Sequence, residues 1–378
     1  MNFAHAMAKK QSGLSLVELM IALTIGLLLL AGLTLIFVNS SEANRELQKT
    51  AQQVENGRYA IDIVSQDLRL AGFFGHFYEL PAAPGALPDP CEIASAAALQ
   101  DALALPVQGY RAPNLTLRAV ISATTCDDKG LLTDPNLKPG SDVLVIRRSD
   151  TNVLARPGGI ATTNEFYVQA TGIAAEVQVG NGAAIGASNK ANGAVSAYFL
   201  NDATTPAPIR KLHVHVYFVA PCSVGSASVT VNGVVIDGIC TSADDTIPTL
   251  KRLELISLGG NATMRLVPLV EGVEFLKIEY GVDNSPGGTP DVDTGLTGDA
   301  TVDGAYVATP ASLDDWTKVI AAKIFVLARN TEPTTGFTDD KAYTLGLATV
   351  PAANDPFRRH VYTAAVRLMN TSGRRERP

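Results

Sequence analysis

The sequence lacks the excess of basic residues that binding to a phosphate backbone usually requires. It has 30 Lys and Arg against 37 Asp and Glu, a formal net charge of −7, so direct binding to nucleic acid is not expected. Only 18% of its 378 residues are charged, below the roughly 25% of an ordinary soluble domain. This shortage of charge indicates that part of the chain lies in an apolar environment.

Catalytic motifs are also missing. The sequence has no G-x-S-x-G, no H-E-x-x-H, no P-loop and no G-x-G-x-x-G after a strand, which are patterns that mark hydrolase, metal and nucleotide sites. His213 and His215 are two apart on a predicted strand and share one face, as metal ligands can, but no third ligand is near them in the sequence. We therefore expect no catalytic residue, no cofactor and no metal site, and we interpret the pair as two exposed or half-buried imidazoles.

A late segment is rich in aspartate. Its acidic residues are Asp283, Asp291, Asp293, Asp299 and Asp303. The spacing is similar to that of a calcium loop, yet Gly295 stands where an EF-hand needs its third oxygen ligand and Val302 where it needs Glu. A solvated acidic turn is the favoured interpretation.

The longest apolar run is Leu19–Val38, twenty residues without a charge. At about 1.5 Å per residue it is roughly 30 Å long, the thickness of the hydrocarbon core of a bilayer. Lys9 and Lys10 precede it, and because positive flanks stay in the cytoplasm, the rest of the chain is expected in the periplasm.

Two other interpretations of this run fit less well. A cleaved secretory signal would have a shorter run and a small-x-small site, for which Ser41-Glu42-Ala43 is a poor match. A plain anchor leaves Glu18 unexplained, since a carboxylate inside the segment costs about 2.5–3.5 kcal/mol.

The residues around Glu18 explain its presence. Gly13–Ile21 reads GLSLVELMI and resembles the class III leader of type IV pilins and pseudopilins: a basic leader ending in Gly, then an apolar residue, then Glu at the fifth mature position. The resemblance implies cleavage between Gly13 and Leu14 by a prepilin peptidase and N-methylation of Leu14, although Phe is commoner than Leu at that position. Cleavage creates an α-amino cation four residues from Glu18, and an ion pair between them offsets the cost of burying both charges.

The periodicity after the apolar run predicts a long helix. Leu47, Val54, Ile61 and Leu68 are seven residues apart, and Ala43, Ala51, Val64 and Ala71 fill the neighbouring positions of one apolar stripe. No proline lies between Leu14 and Ala71, so a single helix of about 58 residues is expected. Gly57 is its weakest point, at about 1 kcal/mol relative to Ala.

Six segments share the pattern of one protein family. They are Asn44–Leu47, Gln52–Gly75, Leu269–Asp283, Asp303–Tyr306, Trp316–Val319 and Arg358–Thr363. They resemble the PilW group of minor pilins, type IV pilus assembly proteins related to the J-type pseudopilins of type II secretion. The resemblance implies an α+β, type IV pilin-like fold, in which a long N-terminal transmembrane and amphipathic helix packs on an antiparallel β-sheet domain with a large β-rich insertion.

The same resemblance implies a function. It predicts a non-enzymatic minor pilin, single-pass in the inner membrane with a periplasmic C-terminal domain, that primes pilus assembly and caps the fibre tip, with twitching motility and adhesion as the processes served. Expected partners are other minor pilins, the major pilin, the prepilin peptidase and the inner-membrane assembly platform, and Glu18 is assigned to assembly. The alternatives are a J-type minor pseudopilin of a secretion system and a membrane-anchored periplasmic enzyme or adhesin.

After Gly75 the apolar periodicity changes to two. Strands are expected at 141–148, 211–220, 250–257, 273–282, 317–329 and 358–370. A hairpin is expected at 229–236, with Asn232-Gly233 in a type I′ turn. The chain thus divides into a leader (1–13), the transmembrane half of the helix (14–38), its amphipathic periplasmic half (39–72) and a disulfide-containing β-rich globular domain (73–378).

The four cysteines all follow the apolar run, on the side where disulfides form. They are Cys91, Cys126, Cys222 and Cys240, and none lies in a C-x-x-C motif. Four cysteines allow three connectivities, among which proximity favours Cys91–Cys126 and Cys222–Cys240. A zinc site is the alternative.

Overall fold

The computed structural model describes residues 13, 15–79, 82–121, 124–154, 159–182, 184–185, 207–284 and 305–375. The chain divides into two compact units, Met1–Ala51 and Gln52–Pro378.

The described helices are α1 (Leu16–Leu70), α2 (Ala96–Ala102), α3 (Thr125–Asp128), α4 (Leu313–Thr317) and α5 (Met369–Arg375). The described strands are β1 (Val107–Tyr110), β2 (Val143–Ser149), β3 (Gly159–Ile160), β4 (Phe166–Ala170), β5 (Ala175–Val179), β6 (Ala184–Ile185), β7 (Ile209–Ala220), β8 (Ala227–Val231), β9 (Val234–Ile239), β10 (Thr249–Leu258), β11 (Asn261–Glu271), β12 (Val273–Val282), β13 (Val319–Arg329), β14 (Tyr343–Leu345), β15 (Ala348–Val350) and β16 (Arg359–Arg367).

Helix α1 confirms the single long helix, and the expected first residue, Leu14, lies outside the described residues. By length and composition, α1 contains a stretch able to cross a membrane. The two threonines of the apolar run do not leave unpaired hydroxyls there, because Thr24 donates to the carbonyl of Met20 at 3.0 Å and Thr34 to that of Leu30 at 2.8 Å. Such internal satisfaction is what a hydrocarbon environment requires of polar groups.

The predicted apolar stripe is wrong in its details. Leu47 is 68% exposed, and Val54 and Ile61 are only half-buried. In the second unit, the buried face of α1 instead follows Gln53, Gly57, Ala60, Val64 and Leu68. Gly57 stands at the centre of this face, where the ring of Tyr362 on β16 leaves no space for a side chain.

Antiparallel pairing forms two main sheets. The larger has seven strands in the order β1-β2-β7-β10-β11, with β4 paired to β7 and β5 paired to β4. The smaller has the order β12-β13-β16. Three two-stranded pairs, β3-β6, β8-β9 and β14-β15, complete the described strands. The α+β class expected from the sequence is confirmed.

The six predicted strands are confirmed to within two residues at each end, except that the last one ends three residues early. Two of these differences have a local cause. The strand expected from Thr317 begins at Val319, because Ser312 and Asp315 form a capping box that starts the short helix α4. The strand expected to run to residue 370 ends at Arg367, where the chain turns into α5. The β8–β9 hairpin is confirmed, with positive φ angles of 48° at Asn232 and 75° at Gly233, as a type I′ turn requires.

Two apolar cores lie on opposite faces of the larger sheet. Alternate residues of β2 divide between them, with Leu144 and Ile146 in the core that contains the α1 residues and Val143 and Val145 in the other. The second core also contains both disulfides, Cys91–Cys126 and Cys222–Cys240. The structure thus has the pairing that sequence proximity favours.

The C-terminal arginines are part of the fold. Arg374 donates to the carbonyl of Phe77 at 3.3 Å and also to that of Gly72. Arg375 donates from Nε to Oδ2 of Asp283 at 2.6 Å. Helix α5 therefore fastens the chain just after α1 and the end of β12.

Gly57 is where the chain allows the closest approach to α1. A Cβ atom there would overlap the ring of Tyr362 on β16, whose hydroxyl donates to the carbonyl of Gln53 at 3.4 Å. The absence of a side chain at this position therefore sets the distance between α1 and the smaller sheet.

We predict that Gly57→Ala destabilises the folded state, although Ala is favoured over Gly by about 1 kcal/mol in a helix. The added methyl group forces Tyr362 away, and overpacking of this kind costs about 1–3 kcal/mol. Urea unfolding followed by fluorescence of the single tryptophan, Trp316, measures the effect. In a Tyr362→Ala background the same substitution should stabilise the protein; a stabilising effect in the wild-type background would contradict the prediction.

Candidate assembly segment and the contact between helix and sheet

The segment before α1 contains the predicted processing site. Gly13 is exposed, and apart from Gly13 and its chain neighbours no described residue has an atom within 4 Å of where a Cβ would stand. Leu14 lies outside the described residues. Chemically, a glycine with open space around it presents bare backbone, which is what a peptidase needs at the bond it cleaves.

Glu18 lies in the first turn of α1 and is exposed. The backbone N–H of Ser15 donates to Oε2 of Glu18 at 3.0 Å, and the backbone N–H of Glu18 donates to Oγ of Ser15 at 3.3 Å. This reciprocal pair is a capping box, which satisfies two N–H groups that the helix itself leaves free. The Glu18 carboxylate is therefore held at the helix N-terminus, close in sequence to the predicted new amine.

The apolar run presents hydrophobic side chains on all sides. Leu28 and Phe37 are each 72% exposed and Leu16 is 76% exposed. A helix that is apolar all round is stable only in a nonpolar surrounding, either lipid or the side chains of other helices. We call this surface together with Glu18 the candidate assembly segment, residues 15–38.

In the second unit, α1 carries one buried charge. Asp67 accepts hydrogen bonds from Arg148 Nε at 2.7 Å and from the Tyr217 hydroxyl at 2.9 Å, and it bonds to His215 Nδ1 at 2.6 Å. Arg148 lies on β2 and the other two on β7, all on the face that packs against α1. A single carboxylate of the helix thus fixes its position on two neighbouring strands.

The electrostatics of this contact favour the ionised carboxylate. Burial by itself would raise the pKa of Asp67, but the hydrogen bond and charge of His215, with those of Arg148, outweigh burial and hold the pKa well below its usual value. The neighbouring His213 has its pKa lowered to about 4, chiefly by burial and by the positive charge of Arg148. His213 Nε2 lies 3.4 Å from Asp150 Oδ2.

The two histidines therefore have partners on the protein itself. The expectation of exposed or half-buried imidazoles is wrong for His215, which is buried where it bonds to Asp67 of α1, whereas His213 is half-buried. Their ring centroids are 5.6 Å apart, but each ring has its own carboxylate partner. His215 is paired with Asp67 and His213 with Asp150. Within the part of the chain that the structure describes, no group of three His, Cys, Asp or Glu side chains is arranged to hold a metal ion.

The aspartate-rich segment is described only in part. Asp283 is fully buried and paired with Arg375, so the expectation of a solvated turn is wrong for this residue, because the C-terminal helix covers it. The remaining members, Asp291, Asp293, Asp299 and Asp303, lie outside the described residues.

Sequence comparison matches two regions of the chain. The profile of the Type IV Pilus-assembly protein W family, PilW, matches residues 238–370, and that of the Prokaryotic N-terminal methylation motif matches residues 8–34. The chain carries both sequence signatures of a PilW-type minor pilin. The methylation motif contains Gly13, Leu14 and Glu18, and the PilW region contains all three strands of the smaller sheet.

A solved structure also aligns with the chain. It is the Type IV-like pilin TTHA1219 from Thermus thermophilus, at 10% identity and a TM-score of 0.29, over 84% of this chain and 96% of that one. Among curated proteins, no relative matches the sequence. The PilW assignment rests on the two sequence matches, which support a membrane-anchored pilin with a role in type IV pilus assembly and therefore contact with other pilus components.

Asp67 is the structural residue that sequence reasoning missed. It lies on the buried face of α1, seven residues after Ala60, and is the one charged residue on that face within the second unit's part of α1. The sequence did contain a signal for it. Asp67 is a single charged residue at a helical spacing that small and apolar residues otherwise occupy.

We predict that Asp67→Asn lowers the free energy of unfolding at pH 7 by about 3–5 kcal/mol, the usual cost of breaking a buried charge pair. Because the folded pKa of Asp67 is depressed, its contribution is complete above the unfolded pKa of about 3.9 and is lost as pH falls toward the folded value. The difference from wild type should therefore shrink below about pH 4. Asp62→Asn, on the exposed face of α1, is the control; equal loss in both variants, or a difference independent of pH, would show that Asp67 does not act through its charge.

Proposed function

We propose that the protein is a non-enzymatic minor pilin that a prepilin peptidase cleaves after Gly13 and that is N-methylated at Leu14. In this account it resides in the inner membrane with residues 39–378 in the periplasm. It then joins other minor pilins and the major pilin on the assembly platform, where it primes fibre growth and remains at the tip. Its role in twitching motility and adhesion follows from that position.

One observation carries the proposal. Glu18 stands at the start of an apolar helix without a proline, within a matched methylation motif. The same helix continues to Leu70, and its face between Gln53 and Leu68 packs in one core with strands of the PilW region. In such a subunit, the candidate assembly segment anchors the chain in the membrane, and the folded domain distinguishes it from other pilins. The apolar surface allows it to pass from lipid into a bundle of similar helices without exposing polar backbone.

The Glu18 carboxylate makes this transfer into the bundle specific. Its carboxylate is costly to bury alone, and the α-amine of a neighbouring processed chain is a cation of complementary charge. Pairing of the two in the bundle fixes the axial register between subunits. The Ser15 N–H that Glu18 accepts in the free chain keeps the carboxylate oriented at the helix end.

We predict that Glu18→Ala and Glu18→Gln are inserted and cleaved normally but fail to join the other minor pilins. Loss of one partner of a buried ion pair costs about 3–5 kcal/mol, which corresponds to association at least about 100-fold weaker. Glu18→Gln retains an oxygen that can cap Ser15, so it separates loss of charge from loss of the cap. The measurement is co-purification with the other minor pilins, with a count of surface pili.

Glu42→Ala is the matched control, because Glu42 is an exposed carboxylate of the same helix and should leave assembly unchanged. Wild-type co-purification and piliation of Glu18→Gln would refute the charge-pairing role. Association with secretion components in place of minor pilins would indicate a pseudopilin.

A further inference from the structure

Lys251 is buried against the Cys222–Cys240 disulfide. Its side chain is on β10, is 1% exposed, and donates to the carbonyl of Gly238 at 3.0 Å. Its Nζ lies 3.4 Å from Sγ of Cys240 and 3.7 Å from Sγ of Cys222. Among the described residues, no carboxylate lies within ion-pair distance of this ammonium group.

Such a cation lacks a full counter-charge in the oxidised protein. Burial lowers the pKa of Lys251, opposed only by the more distant carboxylates of Asp245 and Asp244. Disulfide sulfurs are weak acceptors and carry no charge. Reduction of the disulfide changes this, because a thiolate formed at either cysteine would be an anion next to the ammonium.

A positive charge beside a cysteine lowers the thiol pKa and stabilises the thiolate. The ammonium of Lys251 therefore favours the reduced form of this pair over the disulfide. It also makes the nearer sulfur, that of Cys240, the better leaving group, because exchange is faster when the departing thiol has a low pKa.

The other disulfide has the opposite electrostatic environment. The Asp89 carboxylate accepts hydrogen bonds from the backbone N–H of Cys91 at 2.8 Å and of Thr125 at 2.7 Å. A carboxylate at this position disfavours a thiolate on Cys91 or Cys126. The chain thus contains two buried disulfides of which one borders a cation and the other an anion.

The chain next to Cys222 reaches the solvent. Val224 is 74% exposed, and the adjacent Ser223 is held by Asp245, which accepts its backbone N–H at 2.9 Å and its hydroxyl at 3.0 Å. Opening of this short loop would expose the Cys222 sulfur while Cys240 remains beside Lys251.

We propose that Cys222–Cys240 is a thiol–disulfide exchange site, set by Lys251 to react with dithiol reagents such as disulfide oxidoreductases, while Cys91–Cys126 is a structural disulfide. A thiolate of the dithiol attacks Cys222, the bond between the cysteines breaks, and Cys240 leaves as a thiolate paired with Lys251. The second thiol of the reagent then attacks the mixed disulfide and releases Cys222. The chain gains two electrons, and the reagent loses two and becomes a disulfide.

The test is a redox titration of the full-length protein in detergent, with dithiothreitol buffers and mass mapping of each cysteine pair after alkylation. In the wild type, Cys222–Cys240 should be reduced at less reducing potentials than Cys91–Cys126. Lys251→Met should make the reduction constant of Cys222–Cys240 at least about tenfold less favourable, about 30 mV for a two-electron couple, and leave Cys91–Cys126 unchanged. Lys251→Arg, which keeps the charge, should stay near the wild type.

An unchanged potential of Cys222–Cys240 in Lys251→Met, or an equal shift of both disulfides, would overturn the proposal. If the variant does not fold, the alkylation rate of Cys240 in the reduced wild type, measured against pH, decides the question. An apparent thiol pKa below the ordinary value of about 8.5 supports the proposal, and a value at or above it contradicts it.

Discussion

The packing of the second half of α1 against antiparallel strands is the interaction on which the rest of the structure depends. The helix is one continuous element from Leu16 to Leu70. Its first half can be stable only among nonpolar groups, whereas one face between Gln53 and Leu68 is buried by the chain's own strands. The position of this second half is therefore set by its contacts with the folded domain.

Four sets of contacts hold the second half of α1. Small residues at Gly57 and Ala60 permit close approach of the smaller sheet, and Gln53 donates to the backbone of Ala328 at 2.9 Å and of Arg358 at 3.0 Å. At the other end Asp67 binds the larger sheet through Arg148, His215 and Tyr217, and just beyond it Arg374 closes over the turn at Gly72. Apolar burial supplies most of the energy, while these polar contacts fix the rotation and the axial position of the helix.

Features set by local pattern could be predicted from the sequence. The uninterrupted helix, the β-branched strands and the Asn232-Gly233 turn all follow from residues near one another in the chain. The buried face of α1 could not be found this way, because it depends on Tyr362, about 300 residues later, and not on the heptad of Leu47, Val54 and Ile61. Asp67 is bound by residues 81 to 150 positions away.

The candidate assembly segment was predictable for the opposite reason. Its chemistry is contained in a few consecutive residues, Gly13 to Glu18, and in the length of the apolar run that follows. The environment of Lys251 was hidden in the sequence, because a lysine near the start of a strand gives no sign that two cysteines from other parts of the chain lie against it. The surroundings of such a side chain are set by residues distant in sequence, and only the folded structure shows them.

The account claims that this chain is processed and then becomes part of a fibre, and mass spectrometry of sheared, purified pili tests that claim most directly. We predict a mature chain in the fibre fraction that begins at N-methyl-Leu14, and its loss from that fraction when Gly13→Val keeps the leader attached. A chain that begins at Asn44, or a processed chain that is present in the membrane and absent from the fibres, would contradict the account.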